Sequence, residues 1–175
     1  MKNLLLKTVF TKRLKKKEIT NICRLKNTHW KYGTKSHISW FNKHIKSNDI
    51  HNLAYLKEKL VGYVLLRNRN FLIKEKIKNY LYMDTLIVSK KNRKLNIGHT
   101  LSSLAEKVIK KSKLHSMLLC EKKLEPFYKE NKWKKKNKKN CQIIDHKYPK
   151  RFSIMCLNET EKIKKNNIKY YIFSQ

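Results

Sequence analysis

The most constraining feature of this sequence is a run of strand-forming residues followed by a polar loop and an amphipathic helix. The run YLYMDTLIV at residues 80–88 is the longest β-like stretch, and residues 89–96 form the loop. Apolar residues then recur at helical spacing, which predicts a helix ending near Ser112; they are Ile97, Leu101, Leu104, Ala105 and Val108. A chain with this segment is expected to fold as a sheet covered by helices.

The loop and the first turn of this helix form a candidate anion site. Loop amides that lead into a helix N-terminus point to one spot, where the positive end of the helix dipole also lies. Arg93 and Lys94 add formal charge, and Gly98 permits a close approach of a ligand to the backbone. A pyrophosphate would suit such a site.

The other segments alternate between strand-like and helix-like patterns. Strands are predicted at residues 4–10, 51–56, 60–67, 116–120, 153–157 and 170–173, with a hairpin joining the second and third. Helices are predicted at 18–25, from an N-cap at Ser36, and at 125–132 with Pro126 in the first turn. Residues 68–79 are predicted to form a polar connection between two strands. The hairpin makes the sheet mixed, so the predicted class is α/β or α+β.

Composition limits the architecture and the environment. The 175 residues suffice for one domain with a core, and three Gly and two Pro exclude collagen-like and linker-like chains. The longest apolar run is far shorter than a membrane span. Residues 1–10 resemble a signal peptide, but Lys7 interrupts the apolar stretch and no cleavage site follows. The four scattered cysteines fit neither a zinc motif nor a disulfide framework, so we predict a cytoplasmic protein without a metal.

The net charge of +32 has two explanations. It suggests an anionic partner, which is nucleic acid, a membrane surface or a phosphorylated ligand. However, only six of the 44 basic residues are Arg, and the abundance of Lys, Asn and Ile follows A- and T-rich codons. Dedicated phosphate-binding sites use Arg more often than Lys, because the guanidinium group is planar. We therefore expect the lysine runs, such as residues 129–139, to form a mainly solvated surface that attracts nucleic acid without specificity.

Two motifs resemble those of the GNAT superfamily of acyl-CoA-dependent N-acetyltransferases. The family signature Gln/Arg-x-x-Gly-x-Gly/Ala is similar to RKLNIG at residues 93–98, with Asn96 at its first glycine. A downstream Tyr-x-x-x-Gly-Phe segment is similar to YKENKW at residues 128–133. Asn tolerates a positive φ better than other non-glycine residues, so the loop can keep its shape. Asn131 is expected to cap the helix in the second motif, and Trp133 keeps a large ring. The resemblance covers residues 49–157.

The resemblance implies a single GNAT-like domain with a mixed, mostly antiparallel sheet. Residues 1–48 would form the acceptor side, residues 80–112 would bind acetyl-CoA, and residues 158–175 would form a basic C-terminal strand or tail. The implied co-substrate is acetyl-CoA, held by Leu86, Ile87, Val88, Arg93, Lys94, Leu95, Asn96, Ile97, Gly98 and His99. Direct attack of an amine on the thioester needs proton transfers, and the resemblance assigns the acid to Tyr128 and a base to Asp84.

The sequence leaves open the identity of the acceptor and two alternatives to the acetyltransferase hypothesis. Trp30, Tyr32 and Trp40 are candidate acceptor contacts, and the acceptor is a small amine, an amino-sugar nucleotide or a protein amine. A second hypothesis is a non-catalytic nucleic-acid-binding protein, motivated by the charge and the interleaved aromatic residues. A third is an inactive CoA-binding relative, because both motifs lack a family glycine. The sequence predicts no membrane contact and leaves the oligomeric state open.

Overall fold

The computed structural model of the chain describes residues 3–149 and 151–173, and these divide into two compact units. The first unit comprises the chain up to Arg67 together with Thr85–Ala105. The second comprises Asn68–Asp84 and the chain from Glu106 onwards. Two long strands, β3 (Lys59–Ile73) and β4 (Lys76–Val88), and the helix α3 (Ile97–Ser112) contribute residues to both units.

The first unit packs helices on an antiparallel sheet. Strand β1 (Leu4–Phe10) pairs with β2 (Ile50–Leu56), and β2 pairs with β3. Helices α1 (Lys16–Asn27) and α2 (Thr34–His44) lie in the chain between β1 and β2. One core cluster joins the sheet to α1 through buried side chains, namely Val9, Ile22, Leu25, Leu53, Tyr63, Leu65 and Ile87. Burial of this apolar surface holds the strands that precede the candidate site.

The second unit contains the mixed part of the sheet. Its strands β5 (His115–Glu121), β6 (Lys134–Lys135), β7 (Cys141–Ile143), β8 (Phe152–Leu157) and β9 (Ile168–Tyr170) are accompanied by the helices α4 (Glu125–Glu130) and α5 (Glu161–Lys165). Strand β8 pairs antiparallel with β5 and β6, and β9 with β3. The β4–β5 and β7–β9 pairs are parallel. The predicted mixed, mostly antiparallel sheet with flanking helices is confirmed.

The polar connection predicted at residues 68–79 is wrong. Strand β3 continues to Ile73, and β4 begins only three residues later. The turn residues Lys74 and Glu75 have φ values of 47° and 60°, the left-handed conformation of a tight hairpin. Lysine and glutamate give no turn signal in the sequence, and buried Phe71 and Ile73 hold the strand despite polar neighbours.

Several element ends also differ from the predictions. Helix α2 begins at Thr34 after Gly33 rather than after a cap at Ser36. The loop before α3 contains a 3₁₀ helix, Lys90–Leu95, and the last described strand ends at Tyr170 rather than Phe173. Asp145 accepts hydrogen bonds from the backbone of Ile172 and Phe173, which fixes those residues outside a strand ladder. Such ends depend on long-range contacts that periodicity does not reveal.

The lysine run at residues 129–139 is less uniform than predicted. Lys129 and Lys135 pair with Glu125, and Lys132 pairs with Glu106. Lys136 is only 6% exposed, and its ammonium lies 2.7 Å from a Glu159 carboxylate oxygen. The expectation of solvated charge is therefore wrong for Lys136. In the part of the chain described, no helix combines the length and apolarity needed to cross a bilayer.

Candidate active site

The loop before α3 is folded tightly against the end of β4. The Ser89 amide donates to the Val61 carbonyl at 2.8 Å, and the Asn92 side chain donates to the Ser89 hydroxyl at 2.6 Å. Arg93 Nε lies 3.4 Å from the Val88 carbonyl. These bonds bring the loop back to the strand, so that the chain enters α3 close to where β4 ends.

Asn96 supplies the backbone conformation that a family glycine would otherwise supply. It has φ 54° and ψ 14°, in the left-handed region, and α3 begins at the next residue. Its carbonyl accepts the first helical hydrogen bond, from Thr100 at 3.1 Å. The amides of the first helical turn therefore have no partner within the helix, and helix N-termini of this kind can bind anions.

The candidate cofactor residues of this segment divide into exposed and buried groups. Arg93, Lys94, Leu95 and Asn96 are exposed, whereas Gly98 and His99 are half-buried. The Ile97 side chain is completely buried, so only its backbone is available to a ligand. Lys94 and Arg93 thus place positive charge in solvent beside the N-terminus of the helix.

The end of β4 alternates between core and surface. Ile87 and Val88 are buried, and Ile87 belongs to the core cluster of the first unit, while Leu86 is half-buried. These residues can therefore offer a ligand backbone groups more readily than side chains. Asp84, which precedes them on the strand, is half-buried.

The parallel ladder between β4 and β5 is short. It comprises three pairs in the second unit, Tyr80 with His115, Leu81 with Ser116 and Tyr82 with Met117. Strand β4 nevertheless continues to Val88, and β5 continues to Glu121.

Tyr128 lies in α4 of the second unit as a buried phenol. Its ring makes edge-to-face contacts with Phe127 and Trp133, with centroids 5.1 and 6.2 Å away. No hydrogen bond joins its hydroxyl to another of the described residues, although the side chain is only 8% exposed. Burial raises the pKa of the phenol far above its usual value, so it is protonated at neutral pH.

The second motif keeps its shape without glycine. Asn131 is the C-cap of α4, as predicted, and Lys132 takes the left-handed conformation with φ 66°. The Trp133 amide then donates to the Tyr128 carbonyl at 3.0 Å, and the Trp133 ring is 2% exposed. This turn packs the Trp133 ring against the Tyr128 ring and so fixes the position of the phenol.

The acceptor-side aromatic residues lie around the α1–α2 connection of the first unit. Lys26 Nζ lies 4.3 Å from the ring centre of Trp40 and 6.0 Å from that of Trp30. Both indoles are half-buried, and the Arg67 guanidinium lies 5.5 Å from the Trp40 ring. Tyr32 is 72% exposed, and its ring lies 5.9 Å from that of His37. Trp30 and Trp40 thus share one cation, and Tyr32 faces solvent.

Sequence reasoning missed a buried polar network on β2 and β3. The His51 ring nitrogens lie 2.8 Å from the Thr11 and Tyr63 hydroxyl oxygens, and the ring stacks on Phe41. Burial lowers the pKa of His51 to about 4, so its imidazole is neutral at pH 7. No motif marks this network, because its members are 40 and 12 residues from His51 in the chain.

Comparison with known proteins identifies the class of fold. A family model described as an acetyltransferase (GNAT) domain matches residues 15–142. The chain therefore belongs to the GNAT acetyltransferase family. Among proteins of curated function, sequence comparison finds no match.

Solved structures with the same fold share little sequence with this chain. The GNAT family N-acetyltransferase YhbS from Escherichia coli, in complex with CoA, superposes with a TM-score of 0.69 at 12% identity, over 96% of this chain and 89% of its own. An acyl-CoA N-acyltransferase from Pseudomonas aeruginosa gives 0.65 at 14% identity, over 88% and 99%. Arabidopsis thaliana Naa50, bound to the bisubstrate analogue CoA-Ac-MVNAL, gives 0.57 at 19% identity, over 86% and 96%. At these identities the likeness establishes the fold alone.

Proposed function

We propose that this protein transfers an acetyl group from acetyl-CoA to a primary amine. The observation that carries the proposal is the loop before α3, in which Asn96 adopts the left-handed conformation and α3 begins at the next residue. Family membership supplies the reaction class, since the family model is that of an acetyltransferase domain. A single catalytic domain in the cytoplasm stays a prediction from the sequence.

Each part of the loop has a role in this proposal. The amides from Ile97 to His99 hold the pyrophosphate, and the Arg93 and Lys94 side chains neutralise its charge. The backbone of Leu86, Ile87 and Val88 supports the pantetheine arm and stabilises the developing oxyanion. Leu95 and Asn96 shape the turn that brings these groups together.

Tyr128 is the proposed general acid. The amine nitrogen forms a bond to the thioester carbonyl carbon, the carbon–sulfur bond breaks, and Tyr128 donates its proton to the departing thiolate. Its buried, protonated phenol without a protein hydrogen-bond partner among the described residues suits that role. Asp84 is the proposed base that accepts the proton of the amine, through water where the distance requires it.

The proposed acceptor site lies on the side of Trp30, Tyr32 and Trp40. Indole and phenol rings offer flat apolar surface, and the shared cation Lys26 is 4.3 Å from the Trp40 ring centre. Small amines, amino-sugar nucleotides and protein amines all fit this general chemistry.

A CoA-release assay across these amine classes tests the proposal, with acetyl-CoA binding measured separately by calorimetry. We expect saturable binding of acetyl-CoA and turnover with at least one amine class. The variant Arg93→Ala is expected to weaken binding, whereas Arg24→Ala, an exposed arginine on α1, serves as the matched control. Absence of acetyl-CoA binding would refute the proposal, and binding without turnover on any amine would indicate an inactive relative.

A further inference from the structure

A compact set of metal-ligating side chains lies in the second unit. One ligand atom each from His115, Cys156 and Glu159 lies within 4.8 Å of the others. His115 and Cys156 are 4% and 1% exposed. None of these residues has a role in the proposed acyl transfer.

The β5–β8 ladder explains why these residues meet. In its antiparallel register Met117 faces Cys156, and Ser116 faces Leu157. Because side chains alternate, His115 lies on the same face of the sheet as Met117 and therefore diagonally beside Cys156. Asn158, with φ 57°, then turns the chain so that Glu159 returns toward the pair.

The surroundings of these ligands resemble the outer shell of a metal centre. The Tyr170 hydroxyl lies 2.5 Å from His115 Nε2, and His115 Nδ1 is buried with no hydrogen-bond partner among the described residues. A buried polar atom without a partner costs free energy, which binding of an ion can recover.

A cavity of about 470 Å³ borders this cluster at His115. Its lining combines apolar side chains, among them Phe71 and Ile163, with polar ones that include Lys78 and Lys113. Solvent therefore comes up to the cluster at His115, whereas Cys156 and Glu159 are not part of this lining.

We propose that His115, Cys156 and Glu159 bind a thiophilic divalent metal ion, with Zn²⁺ the ion that the ligand set fits best. One nitrogen, one sulfur and one carboxylate oxygen are all common zinc ligands, whereas Mg²⁺ and Ca²⁺ prefer oxygen alone. Ligand atoms around tetrahedral zinc lie about 3.5 Å apart, so small side-chain rotations complete the site. Water entering from the cavity takes the fourth position.

Binding of the ion displaces one proton and one ammonium group from their places in the cluster. The Cys156 thiol releases its proton to solvent as the metal–sulfur bond forms. The Lys136 ammonium leaves Glu159 and keeps its second partner, the Ile163 carbonyl at 3.0 Å. The metal ion thereby replaces the ammonium as the cation that neutralises Glu159.

Titration of the metal-free full chain with Co²⁺ tests the site, because a cobalt–thiolate bond has its own charge-transfer absorption. We expect this band to saturate at one Co²⁺ per chain and to disappear when Zn²⁺ is added. The variant Cys156→Ser should lose the band, whereas Cys23→Ser, a buried cysteine of the first unit, should keep it. Absence of the band in the wild type, or its persistence in Cys156→Ser, overturns the proposal.

A second variant keeps the test decisive if Cys156→Ser folds poorly. Lys136→Met removes the competing ammonium and should therefore tighten Co²⁺ binding. Lys134→Met, an exposed neighbour in β6, is the matched control and should leave the affinity unchanged. Unchanged or weaker Co²⁺ binding by folded Lys136→Met would contradict the proposed place of Glu159 in the site.

Discussion

Leu101 of α3 packs directly onto the bare backbone of Gly62 in β3. A Cβ at position 62 would lie 2.6 Å from Leu101 Cδ1 and 3.1 Å from Ile97 Cγ2. Leu101 and Ile97 are both completely buried, so neither side chain has free space to move into. Gly62 therefore sets how closely the candidate cofactor helix approaches the sheet.

We expect Gly62→Ala to lower the free energy of unfolding by about 1–3 kcal/mol, the usual cost of overpacking a core. Urea unfolding followed by circular dichroism measures the change. In the double variant with Leu101→Ala, the added methyl group should cost less than it does alone. An additive result would show that the two residues do not interact.

Substitutions at Asn96 should separate backbone conformation from side-chain chemistry. Asn96→Gly can adopt the same φ of 54° and should bind acetyl-CoA like the wild type. Asn96→Val places a β-branched residue in the left-handed region at a cost of about 1–2 kcal/mol. Since that cost corresponds to a factor of about 5–30, we expect a comparable loss in acetyl-CoA affinity or in the folding equilibrium. Calorimetry and thermal unfolding measure the two, and equal behaviour of Gly and Val would contradict this role.

Removal of the Tyr128 hydroxyl should affect the chemical step alone. We expect Tyr128→Phe to lower kcat by about 100-fold or more while leaving the Kd for acetyl-CoA near that of the wild type. The hydroxyl has no protein hydrogen-bond partner among the residues described, so its loss should leave stability almost unchanged. Tyr148→Phe, a half-buried phenol of the same unit, is the control. Unchanged turnover would remove Tyr128 from the mechanism.

His51 should make stability depend on pH. Its folded pKa of about 4 lies below the ordinary value of 6.5, so folding favours the neutral imidazole. The resulting stabilisation is present above pH 6.5 and is lost as the pH falls toward 4, by about 3 kcal/mol in all. Urea unfolding at a series of pH values should show this slope in the wild type and in His29→Gln, an exposed control. His51→Gln should reduce the slope only by the share of His51, because buried His115, whose pKa burial lowers to about 3, contributes in the same direction. An unchanged slope would exclude His51 as a source.

The sequence was most informative where side-chain periodicity alone determines an element. The stripe from Ile97 correctly predicted α3, and the expectation that Asn96 tolerates positive φ is confirmed by its value of 54°. The continuation of β3 and β4 through residues 68–79 was missed because long-range pairing, rather than propensity, holds that hairpin.

The chemistry of the second unit was less predictable. Lys136 is one of many lysines in its segment, and only the folded chain distinguishes it by placing it beside Glu159. Likewise, His115 and Cys156 are 41 residues apart in the sequence, and the β5–β8 register alone brings them together. The roles of Tyr128, Asp84 and the loop residues stay predictions that the experiments above address.

The residues with a left-handed backbone conformation mark positions where substitutions can increase the stability of this protein. Nine of the described residues have positive φ without being glycine, among them both residues of the hairpin turns Lys57-Glu58 and Lys74-Glu75. Asn-Gly is the pair that such turns prefer, and each unsuitable residue costs roughly 1–2 kcal/mol. Replacing each of these two turns by Asn-Gly should therefore give a more stable variant for crystallisation and assay, with the residues of the candidate site unchanged.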